Sequence, residues 1–262
     1  MRKYPSFSLA ILFGVILAFG GHGTAEAQQR KPCFPDLASC PAHGCAKPGT
    51  PDALVNQIKK TKPPHSTPVP LTLEDFDSFQ VQADNLVGQK VNLNKRARNK
   101  LRNLKIISST TSVNEGDLVQ IVGYMVGLPN RPGASGPESV NCRLTGKANN
   151  DFHIPIAPHP EDGELQAIVV EMIPQERPEG WTESKLRGVA REDLPVLVRG
   201  QLFYDNKHWV NSDPDDIKPK EPKRFSLWEI HPVTAFYVCT RGENECNPQD
   251  ITQWEPLEKM DN

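Results

Sequence analysis

Hydrophobic positions follow helical spacing in the first half of the chain and strand spacing in the second half. A short helix is predicted from Asp52 to Lys60, because Pro51 suits its first turn. A second helix is predicted after Thr72, which can cap it together with Asp75. The apolar stripe of this second helix consists of Leu73, Phe76, Phe79 and Leu86. Nine prolines between residues 28 and 70 exclude long regular elements in that segment.

From Glu115 onward, runs rich in β-branched and aromatic residues alternate with loops rich in Pro, Gly and Asn. The predicted strands are Asp117 to Leu128, Glu138 to Thr145, Asp151 to Ala157, Gln166 to Ile173, Leu194 to Tyr204 and Phe225 to Cys239. One helix, from Thr182 to Arg191, precedes the last two strands. Gly123 and Gly127 mark bends in the first strand, and Pro232 bends the last one.

This order of elements indicates a mainly β fold. Several strands, one helix and two further strands resemble the order of a small Greek-key barrel of the OB type, which has three strands, a helix and two strands. The prediction leaves one extra strand before the helix, and a Cys/Pro-rich, partly helical N-terminal extension outside the barrel. A β-sandwich is the alternative, but it assigns no place to the helix.

Composition divides the chain into five segments. They are a signal peptide (1–27), a Cys/Pro-rich segment and linker (28–70), a helical segment with a basic run (71–114), an OB-like β-barrel domain (115–246) and a C-terminal tail (247–262). The signal peptide is predicted from Arg2 and Lys3, the apolar run Leu9 to Gly21 and the cleavage motif Ala25-Glu26-Ala27. The apolar run is too short to span a bilayer. We therefore expect an exported protein, periplasmic or extracellular, that does not span the membrane after cleavage.

Charge is nearly balanced, with 30 basic and 32 acidic residues and a net charge of −2. The whole chain therefore has no strong electrostatic footprint for DNA or RNA. A local exception is the run from Lys95 to Lys105, in which six of eleven residues are basic. This run is either a patch for nucleic acid or another anionic surface, or a solvated helix face with Ala97, Leu101 and Leu104 turned inward. The overall acidity favours the second interpretation.

The exported part contains an even number of cysteines, which in an oxidising compartment indicates disulfide bonds. They are Cys33, Cys40, Cys45, Cys142, Cys239 and Cys246. The last two can close a small loop, and at least one of the first three must pair outside its own cluster or stay free. A zinc site is the alternative, but the spacings around His43 do not match a zinc knuckle.

Three acid–histidine pairs in the predicted barrel carry the candidate chemistry. They are Asp151 with His153, Asp205 with His208, and Glu229 with His231. Residues two apart on a strand share one face, so the members of the first and third pairs lie side by side. Carboxylates and imidazoles are ligands of zinc, non-haem iron and manganese, and such a pair can also act as a base with its orienting group. The alternative is structural hydrogen bonding, with His231 as a satisfied core residue.

Motifs for several other chemistries are absent from the sequence. The chain contains no G-x-S-x-G nucleophile elbow, no glycine-rich nucleotide loop and no H-E-x-x-H motif. Nucleotide-hydrolysing and dinucleotide-dependent enzymes are therefore disfavoured.

Four short motifs carry a family resemblance. They are Glu138-Ser139-Val140-Asn141-Cys142, Asp151-Phe152-His153, Gly200-Gln201-Leu202-Phe203-Tyr204-Asp205 with His208, and Trp228-Glu229-Ile230-His231-Pro232-Val233. Together they resemble a group of exported bacterial OB-like proteins of unassigned role, over residues 115–239. The resemblance implies the fold and no activity.

Aromatic residues in the barrel region suit a binding face. The candidates are Tyr124, Phe152, Tyr204 and Trp209. OB folds bind single strands or sugars by stacking on such residues in a charged groove. The first hypothesis is therefore an exported binding or interaction module for an oligosaccharide, a peptide or a nucleic acid, with no cofactor.

Two other functions remain open at this point. A metal-dependent hydrolase would hold a divalent metal with at least three side chains of the acid–histidine pairs. A structural envelope protein would have only shallow concavities without convergent polar groups.

Overall fold

The computed structural model describes most of the chain from residue 31 onward. The described residues are 31–88, 92–107, 109–126, 133–134, 136–208, 210, 224–241 and 245–261. The predicted signal peptide and Trp209 lie outside them. Among the described residues, no helix has the length and apolar character needed to cross a membrane.

The described residues contain four α-helices. They are α1 (Pro51–Lys59), α2 (Leu73–Val87), α3 (Lys95–Arg98) and α4 (Glu183–Arg191). Thr50, Thr72 and Thr182 cap α1, α2 and α4, each by accepting a hydrogen bond from a backbone N–H of the first turn. The capping box predicted between Thr72 and Asp75 is present. The three longer helices are confirmed, whereas the basic run is helical only over α3.

The described residues also contain ten strands. They are β1 (Val69–Pro70), β2 (Leu104–Lys105), β3 (Ser112–Val113), β4 (Leu118–Met125), β5 (Gly133–Ala134), β6 (Phe152–Ala157), β7 (Ile168–Met172), β8 (Val196–Tyr204), β9 (Trp228–Val238) and β10 (Glu255–Pro256). Short 3-10 helices occupy Lys147–Asn149, Glu164–Gln166, Ile251–Gln253 and Leu257–Lys259. The five long strands match five of the six predicted ones.

The strand predicted from Glu138 to Thr145 is wrong, because this segment forms consecutive turns. Cys142 and Arg143 have φ values of 55° and 56°, in the left-handed region that strands do not use. The backbone N–H of Arg143 donates to the carbonyl of Glu138 at 2.7 Å. Local hydrogen bonds therefore determine the conformation of this segment.

Hydrogen bonding closes five of the strands into a ring. The sheet runs β1-β4-β8-β9-β7-β6-β5, a further pairing joins β4 to β6, and β10 pairs with β9. The pairs β1–β4 and β7–β9 are parallel and the others are antiparallel, so the sheet is mixed. With four helices around this sheet, the fold is mixed α/β rather than the predicted mainly β fold.

Ring closure depends on a close approach between β4 and β6, which pair only at Tyr124↔Ala157 and Met125↔Ile156. A Cβ atom on Gly123 would lie 2.7 Å from the carbonyl oxygen of Ala157, closer than such atoms tolerate. The predicted bend at Gly123 is therefore the position where the two strands meet.

The interior of the ring is the main hydrophobic core. Alternate strand residues such as Ile154, Val170 and Ile230 are completely buried there. Phe79 of α2 packs edge-on against Trp228 with ring centroids 6.1 Å apart. Helix α4 adds the buried side chains Leu186, Val189 and Ala190. On the other face, β6, β7 and β9 carry the buried polar side chains His153, Glu171, Glu229 and His231.

All six cysteines form disulfide bonds: Cys33–Cys45, Cys40–Cys142 and Cys239–Cys246. Two predictions are confirmed: the small loop closed by Cys239 and Cys246, and the pairing of one early cysteine outside its own cluster. The six cysteines form disulfides and not the alternative zinc site. Three disulfides indicate an oxidising environment. The Cys40–Cys142 bond ties the Cys/Pro-rich segment to the turns that follow Glu138.

Candidate functional site

Strand alternation places four polar side chains side by side on the outer face of the ring. His153 of β6 is the register partner of Glu171 of β7. Glu229 and His231 follow on β9, next to β7 in the sheet. The exposed fraction is 6% for His153 and 0% for the other three. These side chains point away from the hydrophobic core but are still shielded from water.

Glu171 is the centre of this buried cluster. Its Oε2 atom lies 2.8 Å from Nδ1 of His231 and 3.4 Å from Nε2 of His153. The ammonium group of Lys59, on α1, lies 3.9 Å from the same oxygen. One carboxylate oxygen thus faces two imidazoles and one ammonium group.

Asp151, Glu171 and His231 form a first group that can hold a metal ion. Each offers one ligand atom, and the three atoms lie within 4.8 Å of one another. Oδ2 of Asp151 is 3.9 Å from Nε2 of His231. Ligands bound at ~2.0–2.2 Å to one zinc ion lie about 3–4 Å apart, so little movement is needed. Asn141 donates to the other Asp151 oxygen at 2.8 Å and leaves Oδ2 for the ion.

Asp205, His208 and Glu229 form a second group with the same spacing. Protein cations already neutralise this group, because Lys59 lies 3.1 Å from Asp205 and Arg224 is bound to Glu229. Oδ2 of Asp205 also lies 2.8 Å from Nδ1 of His208 and orients this imidazole. The second group is therefore already ion-paired within the protein.

Several buried polar atoms of the first group form no hydrogen bond of good geometry among the described residues, although Nδ1 of His231 and Oε2 of Glu171 face each other as an ion pair at 2.8 Å. These buried atoms are Oδ2 of Asp151, both carboxylate oxygens of Glu171 and both ring nitrogens of His231, together with Nε2 of His153 and Oε2 of Glu229 nearby. About nine in ten buried polar groups in proteins have a hydrogen-bond partner. A bound cation would satisfy those of these atoms that lack a close partner, such as Oδ2 of Asp151, whose ion pair with His231 is 3.9 Å long.

Burial and charge act together on the pKa values of these groups. Burial opposes the charged form of His231, but the Glu171 carboxylate outweighs it and raises the pKa of His231 to about 9. Burial, reinforced by the Glu138 carboxylate, raises the pKa of Asp151 to about 6. Burial is also outweighed at Glu171, where His153 and Lys59 hold the pKa of the carboxyl well below its ordinary range.

With all of its carboxylates ionised, the whole cluster needs additional positive charge to become neutral. Its carboxylates are Glu138, Asp151, Glu171, Asp205 and Glu229, its permanent cations are Lys59 and Arg224, and its imidazoles are His153, His208 and His231. The carboxylates outnumber the permanent cations by three. Either protonation of all three imidazoles, or a divalent ion with one protonated imidazole, makes the cluster neutral.

A cavity of about 530 Å³ opens beside the cluster. Its lining includes Lys59, Glu138, His153 and His208, with Asn56 and Ser139 at the side. Small-molecule sites commonly enclose about 300–1,000 Å³ with a few convergent polar groups.

All six residues of the predicted acid–histidine pairs lie in this cluster. Asp151 and His231 belong to the first group. Asp205, His208 and Glu229 form the second group. His153 contacts Glu171. Sequence reasoning missed Glu171, Lys59 and Arg224. The one available indication for Glu171 is a single acid within the apolar strand Gln166 to Ile173.

Three of the four residues predicted for the aromatic binding face are buried in the structure. Phe152 and Tyr204 belong to the hydrophobic core, and Tyr204 packs on Trp228 with ring centroids 5.0 Å apart. Tyr124 is 8% exposed, and Trp209 lies outside the described residues. Period-two alternation turns Phe152 and Tyr204 inward, because their neighbours His153 and Phe203 face outward.

Comparison of the chain with protein families, curated proteins and solved structures found no match. The function is therefore argued from the geometry of the buried cluster and its cavity.

Proposed function

We propose that the five-stranded ring is an OB-type barrel, as in the exported bacterial proteins that the sequence resembles. In chain order its strands are β4, β6, β7, β8 and β9. Around the ring they follow the order β4, β6, β7, β9, β8, so the fifth strand lies between the third and the fourth. Helix α4 lies between the third and fourth strands, which supports this assignment. OB folds bind ligands on the face of the second and third strands. His153 and Glu171 lie on these two strands, and the disulfides support export.

We infer that the protein is a metal-dependent hydrolase whose centre is formed by Asp151, Glu171 and His231. The observation that carries this inference is the set of three ligand atoms within 4.8 Å of one another. They are buried, and the ion pair between Oδ2 of Asp151 and Nε2 of His231 is as long as 3.9 Å. One imidazole and two carboxylates suit zinc or manganese. The neighbouring cavity, which is lined by Glu138 and His153 of the same cluster and not by these three residues, provides space for a substrate.

A divalent ion at this position would polarise a substrate oxygen and lower the pKa of a bound water molecule. The remaining roles belong to the protein. Asp205 holds Nδ1 of His208, which leaves Nε2 to exchange a proton in the cavity. The ammonium group of Lys59 lines the same cavity and can stabilise negative charge that develops on the substrate.

Hydrolysis of p-nitrophenyl phosphate, bis-p-nitrophenyl phosphate and p-nitrophenyl acetate tests this function. The exported protein would be treated with a chelator and then supplied with Zn²⁺ or Mn²⁺. Turnover of at least one ester is expected to disappear with chelation and return with metal. Asp151→Asn is expected to lower the rate about 100-fold or more, because it removes a ligand of the charge-stabilising centre.

The matched control for this experiment is Asp77→Asn, which changes an exposed carboxylate on α2. Its rate should equal that of the wild type. Turnover that survives chelation, or equal rates in the two variants, would overturn the hydrolase.

A further inference from the structure

The basic run from Lys95 to Lys105 has no role in the metal cluster. Its exposed cations are Lys95, Arg96, Lys100, Arg102 and Lys105. Within the described part of the chain, none of these five side chains forms an ion pair, whereas Arg98 is bound to Glu115. Leu101 and Leu104 are 0% and 1% exposed, which confirms the predicted inward face and anchors the run. The run therefore presents unpaired positive charge from a fixed backbone.

Arg98 is the buried member of the run and faces a second cavity. Its guanidinium is bound to Glu115, Asn206 and the carbonyl oxygen of Tyr204. Its Nε atom is buried without a hydrogen-bond partner among the described residues. The cavity of about 220 Å³ is lined by Arg98, Lys95 and Arg102 and by only one acidic residue, Glu115. An anionic oxygen is the complementary occupant.

The second cavity adjoins the first through α1 and Phe203. Leu54 and Ile58 of α1 line the cavity beside Arg98, whereas Val55 and Lys59 line the cavity beside the metal cluster. The guanidinium of Arg98 and the ammonium of Lys59 lie 5.2 and 5.7 Å from the centroid of the Phe203 ring. The two cavities thus lie on different sides of α1.

We propose that the basic run binds the phosphodiester backbone of a single-stranded nucleic acid and leads it to the cavity beside the metal cluster. This proposal rests on the proposed function and names its substrate class. Arginine and lysine bind phosphate oxygens well, and a strand carries one charge on each nucleotide. Among the described residues, the exposed large hydrophobic side chains are Val81, Leu86 and Ile107, with no aromatic ring for stacking. Binding should therefore depend on the backbone and not on base sequence.

A phosphodiester also suits the chemistry of the cluster better than a glycosidic bond. Metal ions held by carboxylates stabilise the oxygens of phosphoryl transfer, whereas glycosidases generally use two carboxyl groups without a metal. In the hydrolysis, a water oxygen bonds to phosphorus and the bond from phosphorus to the leaving oxygen breaks. One water proton is released, and His208 supplies a proton to the leaving oxygen. The products are a phosphomonoester and a free hydroxyl group.

Fluorescence anisotropy with a labelled oligothymidylate tests the binding surface without any metal. The exported protein would be titrated in chelator at several potassium chloride concentrations. The triple variant Lys95→Gln/Lys100→Gln/Arg102→Gln is expected to bind about 10-fold or more weakly. The slope of log K against log salt should become shallower by about 2, at about 0.7 for each lost contact. The matched control, Lys47→Gln/Arg191→Gln/Lys259→Gln, removes the same charge from other exposed positions and should bind like the wild type.

The outcomes separate this inference from the proposed function. Absence of binding at low salt, or equal weakening in both triple variants, overturns the nucleic-acid surface even if the protein hydrolyses other esters. Tighter binding of a sulfated polysaccharide than of the oligonucleotide also overturns it. Salt-dependent binding through the basic run supports the surface. Binding without any cleavage after addition of Zn²⁺ or Mn²⁺ overturns the hydrolase and retains the surface.

Discussion

Glu171 is the residue on which the buried cluster depends most. Its side chain is completely buried and lies near two imidazoles and one ammonium group. Burying such a carboxylate is unfavourable unless opposite charges compensate it. His153, His231 and Lys59 provide this compensation in the protein without metal. A divalent ion would replace the proton of His231, so protons and metal compete for this residue.

The metal-free protein is expected to lose stability as the pH rises from 6.5 to 9. The pKa of His231 is raised to about 9 in the folded protein, so its contribution is complete below about 6.5 and is lost as the pH rises through 9. A shift of this size corresponds to about 3 kcal/mol. The pKa of His153 is also raised, since Glu171 and Glu138 outweigh its burial, and this acts in the same direction.

Urea denaturation in chelator at pH 6.5 and pH 9 measures this loss. His231→Gln should reduce the difference between the two pH values, whereas the exposed His159→Gln should leave it unchanged. A free energy of unfolding that stays constant or increases over this range would contradict the ion-pair description of the cluster.

At the level of elements, local sequence patterns predict the parts that local interactions determine. Helices α2 and α4 begin at threonine caps and have apolar stripes, and both form where the patterns place them. The turns between Glu138 and Thr145 were not predicted, because their conformation depends on hydrogen bonds and on a disulfide to Cys40. Helix α3 ends after Arg98, whereas the predicted helix continued along the basic run.

Gly123→Ala is expected to destabilise the protein by about 1–3 kcal/mol, as overpacked positions do. The added methyl group would lie 2.7 Å from both the Ala157 carbonyl oxygen and a methyl carbon of Ile156, at the closure of the ring. Thermal unfolding followed by circular dichroism measures the change. The matched control is Gly188→Ala on α4, where the new methyl group meets no atom within 4 Å among the described residues.

The control should stabilise the protein by about 0.5–1 kcal/mol, because alanine favours a helix more than glycine does. Equal effects of the two substitutions would show that the ring does not close tightly at Gly123.

At the level of the whole molecule, the cluster combines residues from distant parts of the chain. The acid–histidine pairs could be predicted because residues two apart on a strand share a face. Lys59 and Glu171 could not be predicted as neighbours, because their proximity depends on how α1 packs across the ring. The Cys40–Cys142 bond helps to hold that packing, since it joins segments 102 residues apart. The N-terminal segment thus contributes Lys59 to the buried cluster.

Metal content tests the central claim most directly. The protein without its predicted signal peptide, purified without a histidine tag, would be equilibrated with Zn²⁺ or Mn²⁺, dialysed and measured by elemental mass spectrometry. We expect about one ion per chain, loss of that ion in His231→Gln and retention in His159→Gln. A folded protein that binds no ion above background, or binds equally in both variants, would contradict a metal centre at Asp151, Glu171 and His231.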